Sequence, residues 1–224
     1  MIDQIKKWNQ SHTEIPKDKS VSQYAIEREK DFTRNSFVCE LGGGTGADAI
    51  YFLQHEHKVA LVDISDYALK IALEKAEQLS LKLETHRVTL GKDAIPLEDE
   101  SIDVVYSRLA LHYFDWQTTV NIFKEIYRIM KNGGRAYITV KSPDDYEEMS
   151  FLRQTAVEKD KGIFMDKGDI KSRFTIEQLE AILREAEIRS FEVKSYSENF
   201  GTRVDKVKSG NTQTILNEIQ ISKV

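Results

Sequence analysis

A glycine-rich turn early in the chain has residue types suited to binding a cofactor. The run from Glu40 to Ala47 reads E-L-G-G-G-T-G-A; a short apolar stretch precedes it and a helical pattern follows. Glycines let the backbone of such a turn approach a ligand closely, and the following helix presents the positive end of its dipole. Asp63 ends the next apolar run roughly twenty residues later, where a carboxylate can accept hydrogen bonds from both hydroxyls of a ribose. Together these features predict a nucleoside-cofactor site, with a plain strand-to-helix turn as the structural alternative.

Two classes of cofactor compete for this turn. Gly42-x-Gly44-x-x-Ala47 satisfies the dinucleotide fingerprint G-x-G-x-x-G/A, which favours an NAD(P)-dependent oxidoreductase. Three features weigh against that class. Glycines recur at every second residue after Glu40, giving E-x-G-x-G-x-G; the stretch 93–107 reads DAIPLEDESIDVVYS; and two strand-like runs close the chain after its last helix.

These motifs, taken in order, resemble those of the class I S-adenosylmethionine-dependent methyltransferases. The likeness runs from about Phe37 to Val140 and continues more loosely through the C-terminal runs. It implies S-adenosylmethionine as cofactor and an in-line transfer of its methyl group to an acceptor. In such a transfer the protein mainly aligns the reacting atoms and excludes water, and a general base is needed only when the acceptor must lose a proton.

The resemblance also implies which residues bind the cofactor. The turn 40–46 matches the motif whose backbone cradles the methionine part, Asp63 matches the ribose-binding acid, and Ile64 matches its apolar neighbour against the adenine. Asp93-Ala94 resembles the pair that recognises the adenine edge, although its spacer to the following proline is shorter than the commonest family form. Ser107-Arg108 matches the position whose backbone faces the amino-acid end of the cofactor. The cofactor-binding residues expected in this way are Glu40, Gly42, Gly44, Gly46, Asp63, Ile64, Asp93, Ala94, Ser107 and Arg108.

Four further side chains have a functional and a structural interpretation. His112 follows the fourth strand-like run and is either a general base or a packing residue. Tyr24 and Arg28, one helical turn apart, either close over the cofactor to meet its carboxylate or are exposed helix residues. Trp8 either covers the acceptor pocket or only anchors the first helix. We expect no metal site, because the single cysteine, Cys39, excludes a Cys-rich one and lies inside a buried strand.

The elements that must position these residues alternate between strands and helices. Such alternation predicts parallel strands with right-handed crossovers, hence a doubly wound, mostly parallel, Rossmann-like α/β sheet of the class I methyltransferase type, with N-terminal helices and a C-terminal antiparallel strand pair. The expected sheet strands are Phe37–Leu41, Lys58–Val62, Leu83–Leu90, Ser101–Ser107, Arg135–Val140, Ile188–Tyr196 and Thr214–Ile221. The expected helices after the turn are Ala47–His55, one capped by Ser65-Asp66, Trp116–Met130 and Thr175–Glu187.

The remaining parts of the chain flank this sheet. Residues 1–35 predict a cover of two small helices, the first with Ile2, Ile5 and Trp8 on one side and a polar break from Asn9 to Ser20 that contains Pro16. Residues 36–224 form the cofactor-binding domain. Its segment 143–172 is expected to be a charged, irregular insertion that is either a solvated loop or a lid over the substrate. The loop between the last two strands is expected at 197–213, with Gly201 and Gly210.

Composition narrows the classes of partner. The 224 residues carry 32 basic and 37 acidic side chains, a net charge of −5, which disfavours a protein that grips nucleic acid through phosphates. No run of about 18 apolar residues is present, so we expect no membrane span and a cytoplasmic protein. We therefore expect a small-molecule acceptor, with a protein acceptor as the next alternative. A cofactor-binding protein without catalysis also stays open, and the sequence leaves the oligomeric state open.

Overall fold

The computed structural model describes residues 3–14, 20–199 and 213–224. The predictions about Ile2, Pro16, Gly201 and Gly210 lie outside these ranges. The described helices are α1 Gln4–Glu14, α2 Gln23–Glu29, α3 Ala47–Gln54, α4 Asp66–Gln78, α5 Trp116–Ile129, α6 Tyr146–Thr155 and α7 Ile176–Glu185. The described strands are β1 Phe37–Leu41, β2 Lys58–Asp63, β3 Leu83–Arg87, β4 Ile102–Arg108, β5 Met130–Lys141, β6 Val157–Asp160, β7 Ile163–Asp166, β8 Asp169–Ser172, β9 Phe191–Asn199 and β10 Gln213–Ser222.

Seven of the described strands form one sheet in the order β3-β2-β1-β4-β5-β10-β9. The first five are parallel, whereas β10 runs antiparallel to both β5 and β9. The strand order reverses between β1 and β4, and in open α/β sheets ligands bind at the carboxyl ends of the strands at such a reversal. This sheet confirms the predicted fold class and places the glycine-rich turn, which follows β1, at the reversal point.

Apolar side chains cover both faces of the sheet, as expected for buried parallel strands. One face packs against α2, α3 and α4 through a cluster that includes Tyr24, Phe52 and Leu69. The other face packs against α5 and α7 through a cluster that includes Phe123 and Ile182. Helices on both faces leave the strand ends open for binding residues.

Several predicted boundaries are wrong. The segment 143–172 is not irregular: it forms α6 and a second, antiparallel sheet in the order β6-β7-β8. Helix α1 continues to Glu14, through the break predicted at Asn9, and β5 begins at Met130 rather than at Arg135. The antiparallel terminal pair is confirmed, but β9 begins at Phe191 and extends to Asn199, inside the predicted loop. Strands shorter than five residues, such as β6 to β8, carry too few positions for an alternating pattern to stand out among charged residues.

Candidate active site

The turn between β1 and α3 needs glycine for steric reasons. Gly42 has φ of +68° and Gly44 has φ of +57°, a region that residues with a Cβ rarely adopt. A Cβ placed on Gly42 would lie 2.3 Å from the Cβ of Ala110, in the loop that follows β4. The amide of Gly42 donates to the carbonyl of Val62 (2.7 Å), which fixes the start of the turn to β2. Bare backbone therefore lies at the end of β1, in front of the first turn of α3.

Asp63 joins the end of β2 to this turn. Its carboxylate is 6% exposed, and it accepts hydrogen bonds from the amide of Gly44 (2.8 Å, Oδ2) and from the amide of Ser65 (2.9 Å, Oδ1). A carboxylate offers about four lone-pair sites, so roughly two stay available for further donors. Ile64, beside it, is half-buried. The structure thus brings Asp63 and Gly44 together, as the sequence predicts.

The end of β4 lies on the other side of the turn. Ser107 is fully buried, and its hydroxyl donates to the carbonyl of Leu41 (2.9 Å), the last residue of β1. The side chain of Arg108 makes a two-pronged ion pair with Glu198 of β9, with Nη2–Oε1 at 2.6 Å and Nε–Oε2 at 3.2 Å. Ser107 therefore lies at the turn, whereas the guanidinium of Arg108 pairs with the far strand of the sheet.

Glu40 and Asp93 occupy different environments. Glu40 is 3% exposed and packs under the turn, since a Cβ on Gly43 would lie 2.4 Å from its Cδ. Asp93 and Ala94 are exposed in the loop that follows β3. The amide of Thr89 donates to Asp93 Oδ2 (3.0 Å), and this bond lowers the pKa of the Asp93 carboxyl. Glu40 thus supports the turn from below, while Asp93 and Ala94 lie at the same edge of the sheet beyond β2.

Comparison with known proteins assigns the residues around this turn to one family. Residues 38–134 match the family model described as "Methyltransferase domain". The whole fold is similar to that of a SAM-dependent methyltransferase from Methanosarcina mazei, with a TM-score of 0.72 at 18% identity over 91% of this chain and 99% of that chain. Residues 38–134 are thus similar to a methyltransferase domain, and the fold is that of a SAM-dependent methyltransferase. Both findings agree with the predicted family, and the dinucleotide alternative is not favoured.

Two other proteins show how far the likeness extends. The malonyl-[acyl-carrier protein] O-methyltransferase of Marinomonas sp. (strain MWYL1) is 31% identical over 113 residues, which is 50% of this chain and 41% of that protein. The 1,6-didemethyltoxoflavin-N1-methyltransferase of Burkholderia thailandensis, solved with 1,6-didemethyltoxoflavin and S-adenosylhomocysteine bound, has a TM-score of 0.66 at 15% identity, over 99% of this chain and 86% of that chain. The chain spans 41%, 40% and 45% of the length of the first three curated relatives.

Tyr24 and Arg28 contact Glu218 of β10 and not the glycine-rich turn. The Tyr24 hydroxyl donates to Glu218 Oε1 of β10 (3.0 Å), and Arg28 Nε lies 3.7 Å from the same oxygen. Burial and the neighbouring Glu218 raise the pKa of Tyr24. These contacts hold α2 against the antiparallel part of the sheet, which is a structural role.

His112 lies in the loop after β4 of the methyltransferase domain and is only 2% exposed. Within the described residues, neither ring nitrogen of His112 has a hydrogen-bond partner. Burial, reinforced by the charges of Arg173, Lys141 and Lys171, lowers the pKa of His112 well below its usual value. The ring lines a cavity of about 10 Å³, room for about one water molecule, together with Ser172, Lys141 and apolar side chains. His112 is therefore a neutral, buried imidazole at neutral pH.

Glu148 of α6 joins the insertion to β5 beside this histidine. Its Oε1 lies 2.7 Å from Lys141 Nζ and 2.7 Å from Arg173 Nη2. Burial alone would raise the pKa of the Glu148 carboxyl, but the two cations override it and lower the pKa to about 2. This cluster could not be predicted from the sequence, because no motif links residues of the insertion to the end of β5.

The contacts of α1 also could not be predicted from the sequence. Asn9 Oδ1 accepts hydrogen bonds from the Ser65 hydroxyl (2.7 Å) and the Tyr67 amide (3.2 Å), and the ring of Trp8 contacts Tyr113 with centroids 5.1 Å apart. The helical spacing of Ile5 and Trp8 indicates a helix but not the surface that it covers.

In the described ranges, no helix is both long and apolar enough to cross a membrane. Those ranges also hold no group of three or more His, Cys, Asp or Glu side chains placed to bind a metal ion.

Proposed function

We propose that this protein transfers the methyl group of S-adenosylmethionine to a small-molecule acceptor. One observation carries the proposal: the glycine turn, whose glycines have positive φ, is hydrogen-bonded to Asp63. This contact lies where the strand order of the sheet reverses, within the segment that matches a methyltransferase domain. A turn that only connected a strand to a helix would need neither three positive-φ glycines nor a buried acid from the next strand.

The residues present fit the cofactor. A Cβ at Gly42 or Gly43 would overlap neighbouring atoms at 2.3 Å and 2.4 Å, so the turn has room for bare backbone only at these two positions. In our proposal the turn, with Glu40 below it, holds the amino-acid part. Asp63 accepts from the ribose hydroxyls, and Ile64 with Asp93-Ala94 lies at the adenine. The backbone at Ser107-Arg108 faces the amino-acid end.

The chain's own contribution is orientation and exclusion of water. When bound, S-adenosylmethionine supplies a methyl group on a positively charged sulfur, already activated for displacement. In our proposal the loop after β4 and the insertion after β5 align an acceptor with that methyl group. His112 is neutral and could accept a proton, but at 2% exposure it needs a movement of its loop to reach an acceptor.

A small-molecule acceptor agrees with two observations. The chain carries a net charge of −5, which does not favour nucleic acid. The B. thailandensis neighbour, which has the same fold, was solved with a small molecule bound. Incubation with labelled S-adenosylmethionine and separate pools of metabolites and proteins tests this part: label in small molecules supports it, and label only in protein contradicts it.

Calorimetric titration with S-adenosylhomocysteine and with NAD tests the cofactor assignment. We expect binding of the first and none of the second. Asp63→Ala should weaken S-adenosylhomocysteine binding roughly 10- to 150-fold, since a hydrogen bond to a charged group contributes about 1.5–3 kcal/mol. Asp66→Ala is the matched control, because Asp66 lies three residues later with its carboxylate exposed beside Arg87. Equal affinities of the two variants, both folded by circular dichroism, would mean that Asp63 does not bind the ribose.

A further inference from the structure

Helix α1 crosses the carboxyl edge of the sheet from β2 to the insertion. In its C-terminal half, His12 lies on Gly44 after β1 and Asn9 contacts the start of α4, while Trp8, before them, contacts Tyr113 after β4. At the far end, Lys7 Nζ lies 2.5 Å from Asp169 Oδ2 of β8, and Gln4 Nε2 donates to Asp169 Oδ1 (3.4 Å). The C-terminal half of α1 therefore lies at the glycine turn and the start of α4, and its N-terminal half lies at the loop after β4 and at the insertion.

These contacts lie at the carboxyl edge of the sheet and not in the hydrophobic core. None of the eleven residues of α1 is buried. A helix this short is marginal on its own, so tertiary contacts must hold it in place. The contacts with Ser65 and Tyr67 at one end and with Asp169 at the other hold it across the edge. Such a helix can lift without exposing the hydrophobic core.

The cofactor side of α1 lies directly over the glycine turn. A Cβ on Gly44 would be 2.8 Å from His12 Cε1, so the imidazole rests on the backbone of the turn. Asn9 accepts from Ser65, whose amide donates to the same Asp63 carboxylate that holds Gly44. A ligand that lies on the turn beside Asp63 must therefore contact α1.

The acceptor side is aromatic. The rings of Trp8 and Tyr113 meet edge to face at 78°, and the Tyr113 ring lies 4.4 Å from that of His112. Lys7 Nζ lies 4.8 Å from the centroid of the Trp8 ring, on the side of the insertion. Trp8 is only partly buried, so part of its ring stays available to a ligand.

We propose that α1 is the roof of the methyl-transfer site, which rests on the proposed function. Asn9 is a positioning residue that holds the roof over the cofactor. Trp8 is a specificity-determining residue that contacts the acceptor. Exchange of cofactor requires α1 to lift from Ser65 and Asp169.

Tryptophan fluorescence tests the roof without knowledge of the acceptor. The chain has two tryptophans, so Trp116→Phe leaves Trp8 as the only one and Trp8→Phe leaves Trp116. Titration of the full-length Trp116→Phe variant with S-adenosylhomocysteine should change its emission, and Trp8→Phe should show no change. If the emission of Trp8 stays unchanged at saturating S-adenosylhomocysteine, α1 does not cover the cofactor and the proposal is overturned.

Binding kinetics provide the second arm. Asn9→Ala should weaken S-adenosylhomocysteine binding roughly two- to tenfold, mainly through faster dissociation, because it removes neutral hydrogen bonds. Asn121→Ala is the matched control: it removes an exposed asparagine of α5 whose side chain, among the described residues, is hydrogen-bonded only to Gln117. Equal dissociation rates of the two variants would overturn the role of Asn9 alone. Absence of S-adenosylhomocysteine binding by the folded wild-type chain would instead refute the proposed function.

The acceptor role of Trp8 has a separate readout. Once the screen with labelled cofactor yields a methylated compound, Trp8→Ala should raise its KM at least fivefold while leaving S-adenosylhomocysteine affinity within twofold. A Trp8→Ala variant whose acceptor KM equals that of the wild type would contradict the specificity role.

Discussion

The steric requirement for glycine at the cofactor turn can be measured on Gly42. Replacing it by alanine has two costs. The left-handed backbone at φ of +68° is unfavourable for a residue with a Cβ by about 1–2 kcal/mol. The new Cβ would also lie 2.3 Å from Ala110 Cβ, and overpacking of this kind costs about 1–3 kcal/mol. We therefore expect Gly42→Ala to lower the free energy of unfolding by about 2–5 kcal/mol.

Gly133 provides the matched control. Its φ is +80°, but a Cβ there meets no atom within 4 Å among the described residues. Gly133→Ala should thus show only the backbone cost of about 1–2 kcal/mol. For a chain of this size 1 kcal/mol corresponds to about 2–4 °C in Tm, so thermal and urea unfolding resolve the two variants.

A second substitution separates the two costs of Gly42→Ala. The overlap involves the Cβ of Ala110, whereas its Cα is 3.7 Å away, an ordinary contact. Ala110→Gly should therefore recover the overlap part in the double variant and leave the backbone part, giving a coupling energy of about 1–3 kcal/mol. The reasoning is refuted if Gly42→Ala is no worse than Gly133→Ala, or if the double variant shows no coupling.

Two predictions concern pH. The pKa of Glu148 is lowered from 4.5 to about 2, so its ionised side chain contributes fully to stability above pH 4.5, and this contribution is lost as the pH falls through about 2. In acid unfolding, the stability difference between wild type and Glu148→Gln should therefore shrink across this pH window. A difference that stays constant would refute the ion-pair assignment. Because the pKa of His112 is lowered in the folded chain, a falling pH protonates His112 in the unfolded chain before it does so in the folded chain. The wild type should therefore lose stability below about pH 6.5 more steeply than His112→Asn. Imidazole resonances assigned by that variant should not titrate between about pH 6 and 8; a pKa near 6.5 would show that the ring is solvated.

The positions of the residues that we propose for cofactor binding were predictable because their determinants are local. Gly42 and Gly44 are required by the backbone of one turn, and Asp63 follows from the position at which a parallel strand ends. The doubly wound sheet is likewise encoded in the alternation of apolar runs and helices, and the structure confirms it. What could not be foreseen was the direction of side chains on the flanking elements. Tyr24 and Arg28 have suitable types and spacing for a carboxylate, yet Glu218, nearly two hundred residues later, engages both.

The acceptor side was less predictable because it is assembled from distant segments. Lys7 meets Asp169, and Arg173 meets Glu148 across the insertion, and no local pattern indicates such pairs. The charged composition of 143–172 indicated a loop, whereas Lys171 and Asp166 pair within the small sheet. Met149, Leu152 and Phe164 pack this sheet against α6. Composition describes exposure on average, but it does not show which charges pair.

Part of the proposed acceptor side lies outside the segment that matches the methyltransferase domain. The family match ends at residue 134, and it covers the turn, Asp63 and the loop that carries Tyr113. Trp8, Asp169 and Arg173, which lie around that loop, are all outside the match. Proteins that are similar over residues 38–134 therefore share the segment that we propose holds the cofactor, but they need not share the surface that an acceptor meets. A methyl acceptor inferred from the matched segment alone has no physical basis in this chain. Relatives should instead be compared at α1 and at the insertion, where a residue equivalent to Trp8 facing Tyr113 would indicate an acceptor of similar shape.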